Sequence, residues 1–302
     1  MADKNKSVGL TVCPTSALIP AGGNVTGVMA RMTQAWLAAA QPARGLVPAQ
    51  RHTLGDHEFC SPDYAQLGLW ARALNLSLET VLERLMSATI MLPWNPDKPD
   101  FGLQVVDGTI RTAVLDLKAL PLRSFEWVPG LQLRQLGVKN GGEASAKIFS
   151  GSLPALTKLS CADNQLTELD LSSIPALTEL DCGGNQLTEL DLSSIPALTK
   201  LSCYNNQLTE LDLSSIPALT SLDCANNQLT ELDLSSIPAL TELDCADNQL
   251  TELDLSSIPA LTKLDCRWNQ LTELDLSGIP ALDDFSCDGS VKVRGQARFK
   301  QN

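Results

Sequence analysis

Residues 153–173 read LPALTKLSCADNQLTELDLSS, and residues 258–278 read IPALTKLDCRWNQLTELDLSG. The same pattern recurs every 21 residues between these two segments, which gives six near-identical copies. A partial seventh copy, IPALDDFSCDG, begins at Ile279. Repeats of this period predict a solenoid in which each coil packs on the next, because one coil alone cannot enclose its apolar side chains.

The apolar residues of one copy define the path of its coil. Leu159 and Cys161 alternate with polar neighbours, which predicts a short strand that points one set of side chains inward. Leu169 and Leu171 alternate with Glu168 and Asp170 in a second extended segment. The residues expected to point inward in this coil are Leu156, Leu159, Cys161, Leu166, Leu169, Leu171 and Ile174.

Three polar features also repeat in every copy. Asn164 and its equivalents are expected to turn inward and hydrogen-bond the neighbouring coils, because a buried amide must be satisfied. Glu168 and Asp170 start two carboxylate ladders, which we interpret as a solvated face, with weak divalent-cation binding or a basic partner as alternatives. Cysteine recurs every 21 residues from Cys161 to Cys287, which predicts free buried thiols rather than disulfides or a metal site.

The spacing LxxLxCxxNxL from Leu156 to Leu166 resembles the leucine-rich-repeat family, and the 21-residue period resembles its short bacterial subclass. The resemblance covers about 135 residues without a gap. It implies an α/β solenoid: a right-handed superhelix with a parallel β-sheet on its concave side and protein recognition on that sheet. No catalytic residue comes with it.

We divide the chain into four parts. Residues 1–60 are expected to be a flexible low-complexity leader, residues 61–110 a small helical N-terminal cap, residues 111–290 the solenoid, and residues 291–302 a C-terminal cap or tail. Ser77 is the predicted N-cap of the second of two short helices. This layout resembles bacterial leucine-rich-repeat effectors, although the chain lacks their LPxLP signature.

Two degenerate coils are predicted upstream of the six copies. In the first, Leu115 to Leu117 match the LDL of the repeat. The residues that match its strand pattern LxxLxC are Leu122, Phe125 and Trp127. In the second, the strand pattern is formed by the residues Leu133, Leu136 and Val138.

The copies differ mainly at four positions: the second, fourth, sixth and seventh residues after the first leucine. All of these are expected to face solvent on or beside the concave sheet. Either they have drifted after duplication, or they form a recognition surface. Trp268 could instead pack against the C-terminal cap. The candidate partner-binding residues are Lys158, Glu179, Asp181, Lys200, Tyr204, Asp223, Asp244, Lys263, Asp265, Arg267 and Trp268.

Composition narrows the function classes. The 302 residues carry a net charge of -13, and residues 151–302 contain 8 basic and 23 acidic side chains, which disfavours nucleic acid and anionic membranes as partners. No apolar stretch reaches the roughly 20 residues that a membrane-spanning helix needs. The segment from His52 to Cys60 is the one titratable cluster, and its polar composition predicts a loop without catalytic or metal-binding function.

We therefore predict a bacterial, non-enzymatic protein without metal or cofactor that binds another protein through the concave sheet. Two alternatives stay open. The protein could be an effector of the type III kind, with residues 1–60 as an uncleaved export signal, since no Sec signal is evident. It could also be a structural scaffold without a specific ligand. The predicted location is the bacterial cytoplasm, or outside the cell by a non-Sec route.

Overall fold

The central feature of the computed structural model is a ten-stranded sheet that runs the length of the repeats. All neighbouring strands are parallel except the first two, which form an antiparallel pair. The described residues are 51–54, 57–74, 76–86, 102–106, 109–116, 131–139 and 153–295.

A hairpin and two helices precede the sheet. Strands β1 (Arg51–Leu54) and β2 (His57–Cys60) pair antiparallel, so the predictions of a flexible leader to residue 60 and of a loop at His52 to Cys60 are wrong for this segment. The hairpin is ordered because Leu54 and Phe59 are buried in the core. Helices α1 (Ser61–Leu74) and α2 (Leu78–Met86) follow, and Thr80 N donates to Ser77 Oγ at 3.1 Å, as expected for an N-cap.

Strands β3 (Gly102–Val106), β4 (Thr109–Asp116) and β5 (Gln135–Lys139) begin the sheet. Leu115 of β4 lies opposite Val138 of β5, so Leu115 holds a strand position of the sheet and not the LDL position that we predicted. The continuous apolar run of Ala113, Val114 and Leu115, all fully buried, is typical of a strand inside a covered sheet. The predicted strand residues Leu122, Phe125 and Trp127 lie outside the described residues.

Each repeat contributes one three-residue strand to the sheet. Neighbouring strands pair in register at equivalent positions, so that Leu159, Leu180 and Leu201 stack on one another. These strands are β6 (Lys158–Ser160), β7 (Glu179–Asp181), β8 (Lys200–Ser202), β9 (Ser221–Asp223), β10 (Glu242–Asp244), β11 (Lys263–Asp265) and β13 (Asp284–Ser286). The result is a solenoid of stacked coils.

The inward positions form one continuous core. The predicted apolar set of the first coil is buried, apart from Leu169, which is half-buried. Cys161, Cys182 and the other thiols as far as Cys266 are buried and free. Burial raises the pKa of the Cys182 thiol well above its ordinary value, with the neighbouring Cys161 adding to the effect. These cysteines are therefore small apolar core residues, as the sequence predicts, but the predicted burial is wrong at Cys287 of the last coil, which is half-buried.

The asparagine ladder satisfies the backbone where each coil turns. Asn227 Nδ2 donates to the carbonyl oxygens of Cys203 and Cys224 at 3.1 and 3.0 Å, and Asn227 Oδ1 accepts from Leu208 N at 3.1 Å. Because each amide bonds both its own coil and the one before it, the ladder ties consecutive coils together. The predicted inward asparagines are thus confirmed.

The last coil is two residues shorter than the others. Its second extended segment carries basic residues where the repeats carry Glu and Asp. Strand β14 (Lys292–Arg294) pairs in parallel with β12 (Glu273–Asp275). This register sets Lys292-Val293-Arg294 beside Glu273-Leu274-Asp275, and Arg294 Nη2 lies 2.8 Å from Glu273 Oε2. The segment from 291 to 295 therefore acts as a cap strand that buries Val291 and partly buries Val293.

Candidate functional site

The eleven candidate residues lie on the solvent side of strands β6 to β11 and in the turns that follow, a surface that we call the sheet face. Four of them begin strands, four end strands, and Tyr204, Arg267 and Trp268 lie in turns. The in-register pairing aligns equivalent positions in rows across the sheet. An open trough of about 700 Å³ runs over the face and is lined by Tyr204, Asp223, Asp244 and Arg267 among others.

Not all variable positions face solvent, so this expectation is wrong at Ser160, Gly183 and Ala246, which are buried. Ser160 Oγ donates to Asp181 Oδ2 of the next coil at 3.1 Å. At the position equivalent to Ala246, the next coil has Arg267. At the position equivalent to the half-buried Ala225, the next coil has another alanine. The longer side chain of Arg267 is the residue difference that distinguishes the surroundings of the two alanines.

Tyr204 lies across the preceding coil rather than projecting from the surface. A Cβ atom added to Gly183 would lie 2.1 Å from Tyr204 Cε1, so the ring occupies the space above this glycine. Tyr204 is accordingly half-buried. Its ring contributes a flat, partly exposed surface to the trough, and the missing side chain of Gly183 is what allows it to lie there.

Trp268 is the one large apolar side chain that is strongly exposed among the described residues, with 62% of its surface accessible. The Arg267 guanidinium lies 4.9 Å from the centre of its ring. Trp268 has a φ of 56°, in the left-handed region, where the equivalent residues of the other copies are Asp163, Gly184, Asn205, Asn226 and Asp247. Tryptophan is an unfavourable residue for this conformation, so the fold does not account for its presence.

Charged side chains near both ends of the sheet face are paired. Lys158 Nζ lies 2.8 Å from Glu179 Oε1 at one end. Near the other end Lys263 Nζ lies 2.9 Å from Glu242 Oε1, and this hydrogen bond raises the pKa of Lys263. Arg267 Nε donates to Asp265 Oδ1 at 2.9 Å. The two lysine–glutamate pairs thus join adjacent coils, and the pair of Arg267 and Asp265 lies within one coil.

The aspartates that end β9 and β10 lie in a less polar environment. Burial raises the pKa of Asp223 to about 6, and the adjacent carboxylates Asp244 and Asp181 contribute to the rise. Burial also raises the pKa of Asp244, with a further contribution from Asp265. Asp223 Oδ1 accepts from Ala225 N at 3.2 Å, and Asp244 Oδ1 accepts from Ala246 N at 3.1 Å.

A second acidic surface lies on the other extended segment of each coil, and we call it the carboxylate face. Its glutamates and aspartates are all exposed along a long open groove, which starts at Glu168 and Asp170 and ends at Glu273 and Asp275. The aspartates have a local structural role: Asp233 Oδ1 accepts from Ser235 N at 2.8 Å, and hydrogen bonds from Ser235 lower the pKa of Asp233.

The titratable cluster near the N-terminal end is built into the hairpin and helix α1. His52 Nε2 lies 3.1 Å from Ser61 Oγ, and its ring stacks on Tyr64 with 4.6 Å between the ring centres. Cys60 is buried, while the side chain of His57 lies outside the described residues. Within the described part of the chain, no three His, Cys, Asp or Glu side chains are arranged to hold a metal ion. None of its helices is both long and apolar enough to span a bilayer.

Comparison with known proteins identifies the repeat. A family model for leucine-rich repeats (two copies) matches residues 154–194, 196–236 and 238–287. No curated protein sequence matches the chain significantly.

Three solved bacterial structures illustrate the likeness. Internalin C2 of Listeria monocytogenes is 20% identical over 77% of this chain and 94% of that one, with a TM-score of 0.50. The functional domain of InlJ from the same species, described as including a cysteine ladder, is 30% identical over 59% of this chain, with a TM-score of 0.42. YopM of Yersinia enterocolitica is 27% identical over 56% of this chain, with a TM-score of 0.43. The chain spans less than half of the InlJ and YopM structures, 47% and 43%.

Proposed function

The chain contains a bacterial-type leucine-rich-repeat domain, and from this premise we propose that it binds a partner protein through the sheet face. Such solenoids are typically non-enzymatic interaction modules, whose stacked repeats present one extended surface. The observation that carries the proposal is Trp268, a strongly exposed aromatic side chain in a turn whose conformation suits asparagine, aspartate or glycine. Tryptophan, tyrosine and arginine are the residues most enriched at binding hot spots, and Tyr204 and Arg267 line the same face.

The internal repeats supply a variant that keeps the fold. Replacing Arg267-Trp268 by Ala-Asn gives coil six the residues that coil four has at Ala225 and Asn226. The coil should therefore fold as before, while the face loses its aromatic anchor and a cation. Replacing Gln249 and Gln270, which are exposed in coils five and six, by alanine provides the control.

The test compares proteins captured by wild type, by the Arg267→Ala, Trp268→Asn variant and by the glutamine control, each first shown by circular dichroism to be folded. A partner retained by wild type and control but lost from the variant is the expected result. Equal capture by all three, or no capture, would contradict the proposal and favour a scaffold without a specific ligand.

An exported effector is the second candidate function. It rests on the sequence of residues 1–32, which is rich in Ser, Thr, Ala, Gly and Pro. Fusing residues 1–50 to a reporter and measuring its export from cells with and without a type III apparatus tests this candidate. Retention of the reporter in both strains would count against export and favour a cytoplasmic location.

A further inference from the structure

The middle of the sheet face carries two carboxylates that no ion pair neutralises within the described residues. Arg267, which is paired with Asp265, offsets the charge of Asp244 only in part. Asp223 and Asp244 lie side by side on the adjacent strands β9 and β10. Neither carboxylate forms an ion pair with a described residue, whereas Glu179, Glu242 and Asp265 all have cationic partners. Two like charges on neighbouring strands repel each other, so the sequence maintains an unfavourable arrangement at this place.

Neutral groups hold the two carboxylates in position without removing their charge. Each accepts a hydrogen bond from a backbone N–H two residues on, and the hydroxyl of Ser202 also bonds Asp223. Both side chains are half-buried, so one side of each carboxylate is fixed and the other remains open to the trough. A partner can approach this open side without reorganising the site.

The carboxylates lie between aromatic groups along the same face. Tyr204 is in the coil before Asp223, and Arg267 with Trp268 is in the coil after Asp244. A lysine or arginine side chain suits such a strip, because its charged head can bind the carboxylates while its aliphatic stem or guanidinium plane packs on aromatic rings. An acidic segment would meet repulsion from the pair and from the net charge of -13.

We infer that the partner docks through a basic segment, whose lysine or arginine side chain enters the trough and binds the carboxylates of Asp223 and Asp244. This inference rests on the proposed function and adds the chemistry of the partner to it. The carboxylate pair would supply orientation and selection against acidic competitors, and Trp268 would supply contact area.

Two isosteric variants isolate this charge. Asp223→Asn with Asp244→Asn removes both charges and keeps an oxygen to accept from Ala225 N and Ala246 N. The matched control, Asp233→Asn with Asp254→Asn, removes the same charge from the same two coils but on the carboxylate face. The aspartates of the control also accept from a backbone N–H two residues on, so the local turn chemistry is equivalent.

The probe is a library of random-sequence peptides displayed on phage, selected on immobilised wild-type protein in the presence of a chelator. We expect enrichment of peptides with lysine or arginine. Their affinity should fall by about tenfold or more for Asp223→Asn, Asp244→Asn and by less than about twofold for the control.

The other outcomes separate this inference from the proposed function. Selected peptides that lose binding to the Arg267→Ala, Trp268→Asn variant, but lack basic residues or tolerate the two asparagines, overturn the inference and leave the proposed function standing. If no peptide depends on either variant, both are overturned.

Discussion

At the scale of single residues, the asparagine ladder shows how one amide per coil satisfies the interior backbone. The ladder continues to the last coil, where an aspartate replaces the asparagine and Asn269 N donates to Asp288 Oδ2 at 3.3 Å. The stacking of coils therefore depends on polar groups as well as on leucines, because an unsatisfied buried N–H or C=O costs as much as several buried methylene groups contribute.

Asn227→Ala is expected to lower the free energy of unfolding by about 3 kcal/mol. It leaves Leu208 N without an acceptor, and it removes three hydrogen bonds to carbonyl groups that each keep one other donor. Gln228→Ala, one residue further on and exposed, should change it by less than about 0.5 kcal/mol. Urea titrations followed by circular dichroism measure both. Similar costs for the two substitutions would contradict a structural role for the ladder.

Asp63 is expected to make stability depend on pH. It is buried in helix α1, where Ile110 N donates to Asp63 Oδ1 at 2.9 Å. Burial raises the pKa of Asp63 to about 6, against the opposing effects of that hydrogen bond and of Arg111. The folded protein therefore binds a proton between about pH 4 and 6 that the unfolded chain does not, so stability increases as the pH falls through 6 and is lower at pH 7.

Asp63→Asn should remove this dependence and keep the hydrogen bond from Ile110 N. At pH 7 the variant is expected to be more stable than wild type by roughly 3 kcal/mol, for a pKa difference of about two. Unfolding free energies measured at pH 5 and pH 7 for both proteins test this. A pH dependence that is identical in wild type and variant would show that another group causes it.

At the scale of elements, the contact between Tyr204 and Gly183 couples two neighbouring coils through their turns. Gly183→Ala is expected to push the ring off the coil, because the new methyl group would overlap it. The ring is the far end of a side chain that can rotate, so we expect a cost of about 1 kcal/mol.

A double-mutant cycle tests this contact. Tyr204→Ala in the Gly183→Ala background should cost less than Tyr204→Ala alone, because the displaced ring has already lost its packing. Additive costs would contradict the placement of the ring over Gly183. Thermal unfolding of the four proteins gives the coupling energy.

At the scale of the whole molecule, much of the architecture could be predicted because a 21-residue period repeats almost without change. The strands, the inward leucines and the rows on the sheet face follow from that period and from the alternation around Leu159. The features that the sequence did not predict lie in segments that do not follow the 21-residue period. The strand position of Leu115, the hairpin before α1 and the register of β14 depend on contacts between segments without repeat spacing.

The candidate site was predicted only in part, for a related reason. Strand periodicity places Asp223 and Asp244 on the sheet face, but it does not determine which ions pair across coils. The position of the Tyr204 ring over Gly183 and the burial of Ala246 depend on the side chain in the adjacent coil. Sequence alone supports a prediction of which positions are variable, and the packing of neighbouring coils determines which of them are accessible.

The cap strand provides a prediction for the end of the solenoid. Reversing both charges with Lys292→Glu and Arg294→Glu places carboxylates in register with Glu273 and Asp275, so β14 should detach. Hydrogen exchange at Leu276 N, which donates to Arg294 O at 2.9 Å, should become faster, while exchange in the central coils stays unchanged. The neutral variant Lys292→Gln, Arg294→Gln is the control. Unchanged exchange at Leu276 after charge reversal would rule out an ionic contribution to the cap.

The in-register stacking of near-identical coils also has a mechanical consequence. A force applied between the two ends of the repeats should peel coils away one after another, because each coil is held only by its neighbours. Each detached unit of 21 residues would release about 70 Å of chain, given at most about 3.6 Å per extended residue. The domain would thus behave as an extensible spring with evenly spaced steps, and it would lengthen gradually under load before its last coil gave way.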